Sequence, residues 1–152
     1  MPPRAVPVKV FLADDSPLIC DRVAAMLAAA GMSVVGRGDT PQACFDGILA
    51  SHPDVVVLDI QLEGGAGLEV LKTVRLAAPE VAFVVFSNHS APAYRKRYLG
   101  EGACGFVDKS TEFDQLAPAI ERAADAATPA PRIPSATAAA TASLRLCTPS
   151  FW

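Results

Sequence analysis

Val55-Val56-Val57-Leu58-Asp59-Ile60-Gln61-Leu62-Glu63-Gly64-Gly65-Ala66-Gly67 is the stretch that decides how the chain reads. Four consecutive apolar residues, mostly β-branched, describe a strand buried on both faces. Such a strand belongs in the middle of a parallel sheet covered by helices on each side. The residue that follows is a carboxylate, and a glycine-rich loop follows that. A lone Asp at the end of a buried strand contributes nothing to a core. It is well placed to offer a nucleophile or a metal ligand to solvent.

Outward from this strand, apolar runs alternate with helical patterns. Val6 to Leu12 reads as the first strand, and Ala13-Asp14-Asp15 as the turn after it. Ser16-Pro17 is an N-cap with proline at the first helical position, and Ile19, Val23, Met26, Leu27 and Ala30 follow at helical spacing up to Gly31. Met32 to Val35 is a short second strand. Thr40-Pro41 repeats the cap, opening a helix that runs to about Ser51. After the third strand, Asp54 to Asp59, the positions Leu68, Leu71 and Val74 mark a helix ending before Pro79.

Val81 to Phe86 is the fourth strand, ending at Ser87, and a more polar helix spans Pro92 to Leu99. Gly105 to Lys109 is the fifth strand, and Leu116, Ile120 and Ala124 mark a last helix. Pro118 would cost about 3 kcal/mol inside that helix, so Thr111 to Gln115 is expected as a separate turn, with Pro118 opening the helix proper. The fold class is α/β, a doubly wound five-stranded parallel sheet with helices on both faces.

The 152 residues fit one domain with a full core, 51% of them hydrophobic. A net charge of −3 gives no general attraction to nucleic acid or to an acidic membrane surface. No stretch approaches the roughly 20 apolar residues of a membrane span. Cys20, Cys44, Cys104 and Cys147 are widely spaced and form no C-x-x-C pair. They read as reduced, packed thiols, and a cytoplasmic setting follows. The domain is expected over 1–127. From Thr128 the Pro/Ala/Thr-rich composition predicts a disordered tail over 128–152, with an apolar end as an alternative short binding segment.

Ligands of parallel α/β sheets bind beyond the carboxyl ends of the strands. Asp14 and Asp15 follow strand one, Asp59 ends strand three, Ser87 ends strand four and Lys109 ends strand five. Each alone is an ordinary cap or turn residue; the joint pattern gathers them at one edge. Two carboxylates 4 Å apart repel by roughly 4 kcal/mol at an effective dielectric near 20. Lys109 compensates part of that, and a hard divalent cation with oxygen ligands would compensate the rest. Asp59 could then attack a phosphoryl group held by the metal, Lys109 and the Ser87 hydroxyl, forming an aspartyl phosphate.

Asp14-Asp15, the strand ending in Asp59, Gly67 eight residues later, Ser87 and Gly105-Phe106-Val107-Asp108-Lys109 resemble the receiver domain of two-component response regulators. The resemblance covers residues 6 to 127 and suggests a stand-alone, chemotaxis-type single-domain receiver. It implies a flavodoxin-like strand order 2-1-3-4-5. It further implies that Asp59 accepts phosphate from a sensor histidine kinase or a histidine phosphotransfer protein. Mg²⁺ or Mn²⁺ would be held by Asp14, Asp15, Asp59 and the Gln61 backbone carbonyl. Lys109 and Ser87 would bind the phosphoryl group, and Phe106 would be the aromatic switch. Gln61 and His89 flank the site as candidate modulators of phosphate lifetime.

The output expected is contact with a downstream protein, without direct nucleic acid or membrane binding, in a monomer or a phosphorylation-dependent dimer. No enzyme activity is expected beyond the chain's own phosphorylation and dephosphorylation. Three positions depart from the family pattern. Glu63 replaces a proline, Asn88 follows Ser87 where a small residue is usual, and Ser110 replaces the proline after the lysine. A cis non-proline bond costs about 3–4 kcal/mol, so Lys109-Ser110 is expected to be trans. These departures also define the alternative, a degenerate receiver acting as a phosphorylation-independent interaction module. On helix four, Tyr94-Arg95-Lys96-Arg97-Tyr98 is either a solvated face or a partner surface beside Phe106.

Overall fold

A computed structural model describes residues 6–88 and 91–127 of the chain. The expectations for His89 and for the tail lie outside those residues. The elements run β1 (Lys9–Ala13), α1 (Pro17–Ala29), β2 (Ser33–Gly38), α2 (Pro41–Ser51), β3 (Val55–Leu58), β4 (Gln61–Leu62), β5 (Gly65–Ala66), α3 (Gly67–Ala77), β6 (Ala82–Ser87), α4 (Pro92–Gly100), β7 (Gly105–Asp108), a 3₁₀ turn (Phe113–Gln115) and α5 (Leu116–Ala127). The five-stranded parallel sheet has the order β2-β1-β3-β6-β7, which is 2-1-3-4-5 when its own strands are counted.

The period of two along each strand divides the core between the two faces of the sheet. Val10, Leu12, Val55, Val57, Val84, Phe86 and Val107 pack with α1 and α5. Phe11, Ala13, Val56, Leu58, Phe83 and Val85 pack with α2, α3 and α4. Every residue of β3 is buried, as its unbroken apolar run requires. Phe11 fits closely under α2: a Cβ on Gly47 would lie 2.6 Å from its ring, so only glycine lets the helix approach.

Both predicted caps form. The Ser16 hydroxyl accepts from the Ile19 amide at 3.3 Å, and Thr40 Oγ1 accepts from the Ala43 amide at 3.1 Å. The separate turn at Phe113–Gln115 is present, but α5 starts at Leu116, two residues before Pro118. Pro118 therefore sits in the first helical turn, where a missing amide leaves no intrahelical bond unmade.

Two further expectations fail. The first strand starts at Lys9 rather than Val6, because the backbone amide of Lys9 donates to the Asp54 carboxylate at 2.9 Å and opens the ladder there. Cys20 and Cys44 are buried free thiols, whereas Cys104 is disulfide-bonded. Cys104 is only half-buried, just before the edge strand β7, where a thiol is open to reaction.

Candidate functional site

The parallel ladder runs one hydrogen bond past the ends of its strands, and those extra bonds align the site. The Asp14 amide donates to the Gly38 carbonyl at 3.0 Å, the Asp59 amide to Ala13 at 2.9 Å, and the Lys109 amide to Ser87 at 3.1 Å. Residues from β1, β3, β6 and β7 thus stand in one row at the carboxyl edge, as the sequence predicts. Asp14, Asp59 and Ser87 are buried and Asp15 is exposed.

Lys109 Nζ lies 2.7 Å from Asp14 Oδ2 and 3.1 Å from Asp59 Oδ2. Asp14 is held from its other oxygen as well, where Oδ1 accepts the Ser16 amide at 2.9 Å. One carboxylate oxygen from each of Asp14, Asp15 and Asp59 falls within 4.8 Å of the others. The group carries three negative charges against one positive. A cavity of about 270 Å³ opens beside it, lined in part by Asp14, Asp15, Arg37 and Asp39.

Burial pushes the Asp59 carboxyl above its ordinary range; Lys109 opposes this, and Asp14 reinforces it. For Lys109, burial works against the charged form, yet the hydrogen bond to Asp14 and the charge of Asp59 prevail and hold it above its ordinary value. The two directions are compatible. Lys109 has two carboxylate neighbours, while Asp59 must share one lysine with Asp14. Asp59 is therefore the under-compensated member of the group, poised to gain from a second cation.

The loop after Asp59 is more ordered than a glycine-rich sequence suggests, since β4 and β5 pair antiparallel as a small hairpin. The Gln61 amide helps Asp59 by bonding its carboxylate, while the Gln61 side chain is exposed. Gly67 opens α3 directly against the strand end: its amide donates to the Ile60 carbonyl at 2.7 Å, and a Cβ there would collide with the Asp59 carbonyl oxygen. Gly67 is required by that close approach.

The three departures from the family pattern leave the five groups assembled. The Glu63 amide donates to the Asp39 carbonyl at 2.9 Å, a bond that proline could not make. Ser110 is held by Asp108, with no cis peptide among the described residues. Asn88 is exposed.

Phe106 is buried, and Arg95 stacks on it with the guanidinium carbon 4.7 Å from the ring centre. The basic run on α4 therefore divides. Tyr98 belongs to the core, Arg97 pairs with Glu101 at 3.5 Å, and Arg95 serves Phe106. Sequence reasoning missed Arg95 and Asp108 as individuals. The signal for Asp108 was an Asp followed two and three residues later by Ser110 and Thr111, a pattern that favours a side-chain-capped turn.

Residues 10–121 match the family model described as the response regulator receiver domain. The NarL transcriptional regulatory protein of Mycobacterium tuberculosis is 32% identical over 119 residues, 78% of this chain and 55% of that protein. Response regulator GacA of Pseudomonas aeruginosa is 28% identical over 116 residues, 76% of this chain and 54% of its own.

The solved receiver domain of M. tuberculosis NarL superposes with a TM-score of 0.72 at 30% identity, covering 79% of this chain and 98% of that one. A LuxR-family response regulator from Aurantimonas gives 0.75 at 25% identity, covering 78% and 86%. The chain spans about half the length of these two curated relatives, which lends no support to the stand-alone arrangement expected above. Among the described residues, no helix is long and apolar enough to cross a membrane. The matched span and the assembled strand-end charges lead to one assignment: the chain belongs to the response regulator receiver domain family, whose members are phosphorylation-switched signalling modules.

Proposed function

We propose that Asp59 is the phospho-acceptor and that the chain signals by contact with a downstream protein when Asp59 is phosphorylated. The observation that carries this is the position of Lys109 Nζ, shared between Asp14 at 2.7 Å and Asp59 at 3.1 Å. An Asp59 oxygen attacks the phosphorus of a phosphohistidine on a histidine kinase or phosphotransfer protein. The P–N bond breaks, the imidazole leaves and takes a proton from solvent, and an acyl phosphate remains on Asp59. Lys109 offsets the charge on the phosphoryl oxygens, and the Ser87 hydroxyl donates to one of them.

Asp14, Asp15 and Asp59 fit a hard divalent cation, Mg²⁺ or Mn²⁺. They supply oxygen donors only, they lie close together, and they carry more negative charge than Lys109 balances. The Gln61 backbone carbonyl is the further ligand we assign. When bound, the cation would neutralise phosphoryl charge. Phe106 has no hydroxyl, so its part in the switch is packing against α4. Gln61 and His89 are the side chains we assign to control of phosphate lifetime. The cytoplasmic placement now rests on the family rather than on reduced thiols.

Incubation with Mg²⁺ and a small acyl phosphate should add one phosphoryl group by mass, and Asp59→Asn should abolish the adduct. A wild type that takes up none, or an adduct that survives Asp59→Asn, would overturn this reading. The first of those outcomes would favour the phosphorylation-independent module.

A further inference from the structure

Lys109 can serve two carboxylates only if its backbone is held still. Five consecutive amides around it are all hydrogen-bonded. Asp108 donates to Glu112 Oε1 at 3.0 Å and Lys109 to the Ser87 carbonyl at 3.1 Å. Ser110 and Thr111 donate to Asp108 Oδ1 at 2.8 and 3.1 Å, and Glu112 to the Asp108 carbonyl at 2.9 Å. The Ser110 hydroxyl adds a further bond to Asp108 Oδ1 at 2.6 Å. One carboxylate oxygen collects three donors.

The frame is anchored to α4. Arg95 Nη2 lies 3.8 Å from Glu112 Oε1, and Nη1 donates to the Phe106 carbonyl at 3.2 Å. Asp108 is itself buried, yet it is not a member of the candidate cation group of Asp14, Asp15 and Asp59. Burying a carboxylate to cap a turn is a poor choice for stability alone, since a neutral Ser or Asn would cap it without the desolvation cost. Charge-assisted bonds are stiffer and stronger than neutral ones, and stiffness is what a lysine mount needs.

We propose that Asp108, braced by Glu112 and Arg95, is a positioning residue that fixes the Lys109-Ser110-Thr111 turn so that the Lys109 ammonium meets the phosphoryl group on Asp59. The proposal rests on the reading of Asp59 as phosphoryl acceptor.

The test is a beryllofluoride titration of the full chain in saturating Mg²⁺, with Mg²⁺ affinity measured separately. Asp108→Ala should weaken beryllofluoride binding about tenfold, the scale expected when a reacting group shifts by a fraction of an ångström. Mg²⁺ binding should not weaken, and Asp108→Asn, which keeps the accepting oxygen but loses its charge, should recover only part of the loss. In a Lys109→Ala background, Asp108→Ala should add nothing, since its effect runs through that lysine. Should Asp108→Ala fail to fold, Glu112→Ala removes the bond to the Asp108 amide and the contact with Arg95, and should weaken binding about threefold.

Equal binding by wild type and both variants would overturn the proposal alone. So would an Asp108→Ala loss that persists undiminished without Lys109, which would mark a general structural role. A wild type that binds no beryllofluoride would remove the reading of Asp59 and this proposal together.

Discussion

Leu58 and Asp59 are neighbours in the chain, yet they answer to opposite rules. Leu58 is fully buried, and strand propensity, alternation, packing and burial all agree on its place. Asp59 is nearly as buried, and there the levels conflict. Its carboxylate shares one lysine with Asp14, and Asp15 stands close by. The interior has the consistency that makes a fold unique. The carboxyl edge keeps a local charge imbalance that the interior is stable enough to tolerate. That imbalance is what a cation and a phosphoryl group can relieve, so the site's function and its strain have one source.

The stability of the fold should lie in the interior. Phe83 is fully buried between the sheet and the α2–α3–α4 layer. Phe83→Ala should cost about 3–5 kcal/mol in urea unfolding. A cost below about 1 kcal/mol, the ordinary size of a single-site change, would contradict it. Gly67→Ala lies at the junction of the two regions and should cost about 1–3 kcal/mol as an overpacking change. It should also slow phosphorylation, because the Asp59 carbonyl must move away from the new Cβ. Loss of stability with unchanged phosphorylation kinetics would separate the helix contact from the site.

The edge should respond to ligand where the interior does not. Mg²⁺ at ten times its dissociation constant should stabilise the fold by about 1.4 kcal/mol, read as a rise in the unfolding midpoint. Asp15→Asn should remove most of that gain without altering metal-free stability, since Asp15 is exposed. Asp59→Asn should raise metal-free stability at neutral pH. The sign follows from linkage. Burial, and then Asp14, raise the Asp59 carboxyl, so the native state binds more protons than the unfolded chain in the window above the ordinary value of 3.8. Stability contributed by Asp59 therefore falls as pH rises through that window, and the penalty is fully present above it. The advantage of Asp59→Asn should vanish as pH is lowered through the same window; an advantage independent of pH would refute the assignment.

How much of this was legible in the sequence follows the same division. The interior was readable because its signals are local: Val55 to Leu58 announce a central strand, and Ser16-Pro17 and Thr40-Pro41 announce helices. The strand-end groups were readable because parallel topology puts carboxyl ends on one edge, whatever the loops do. What could not be read was the wiring between elements. Arg95 sits in a basic run that looks like a solvated face, and its partner Phe106 is eleven residues away on another element. The β4–β5 hairpin rests on two bridges within a sequence whose glycines suggest an open loop. Cys104 carries no local sign of its disulfide, because pairing depends on where another cysteine comes to lie.

The smallest effect is also the finest test of the contrast. Arg95 is 41% exposed and Glu112 43%, so their contact at 3.8 Å is heavily screened, and the stacking on Phe106 supplies much of what remains. Arg95→Ala should cost about 0.5–1 kcal/mol in low salt. The ionic part should disappear near 1 M NaCl, where the screening length falls to about 3 Å. The Arg95→Ala deficit should therefore shrink with salt, whereas the Phe83→Ala deficit should not, since no charge is involved in it. Denaturant midpoints at low and high salt for both variants provide the reading. A salt-independent Arg95 deficit would make the guanidinium a packing element of the interior, and would move the boundary between the two regions outward to helix α4.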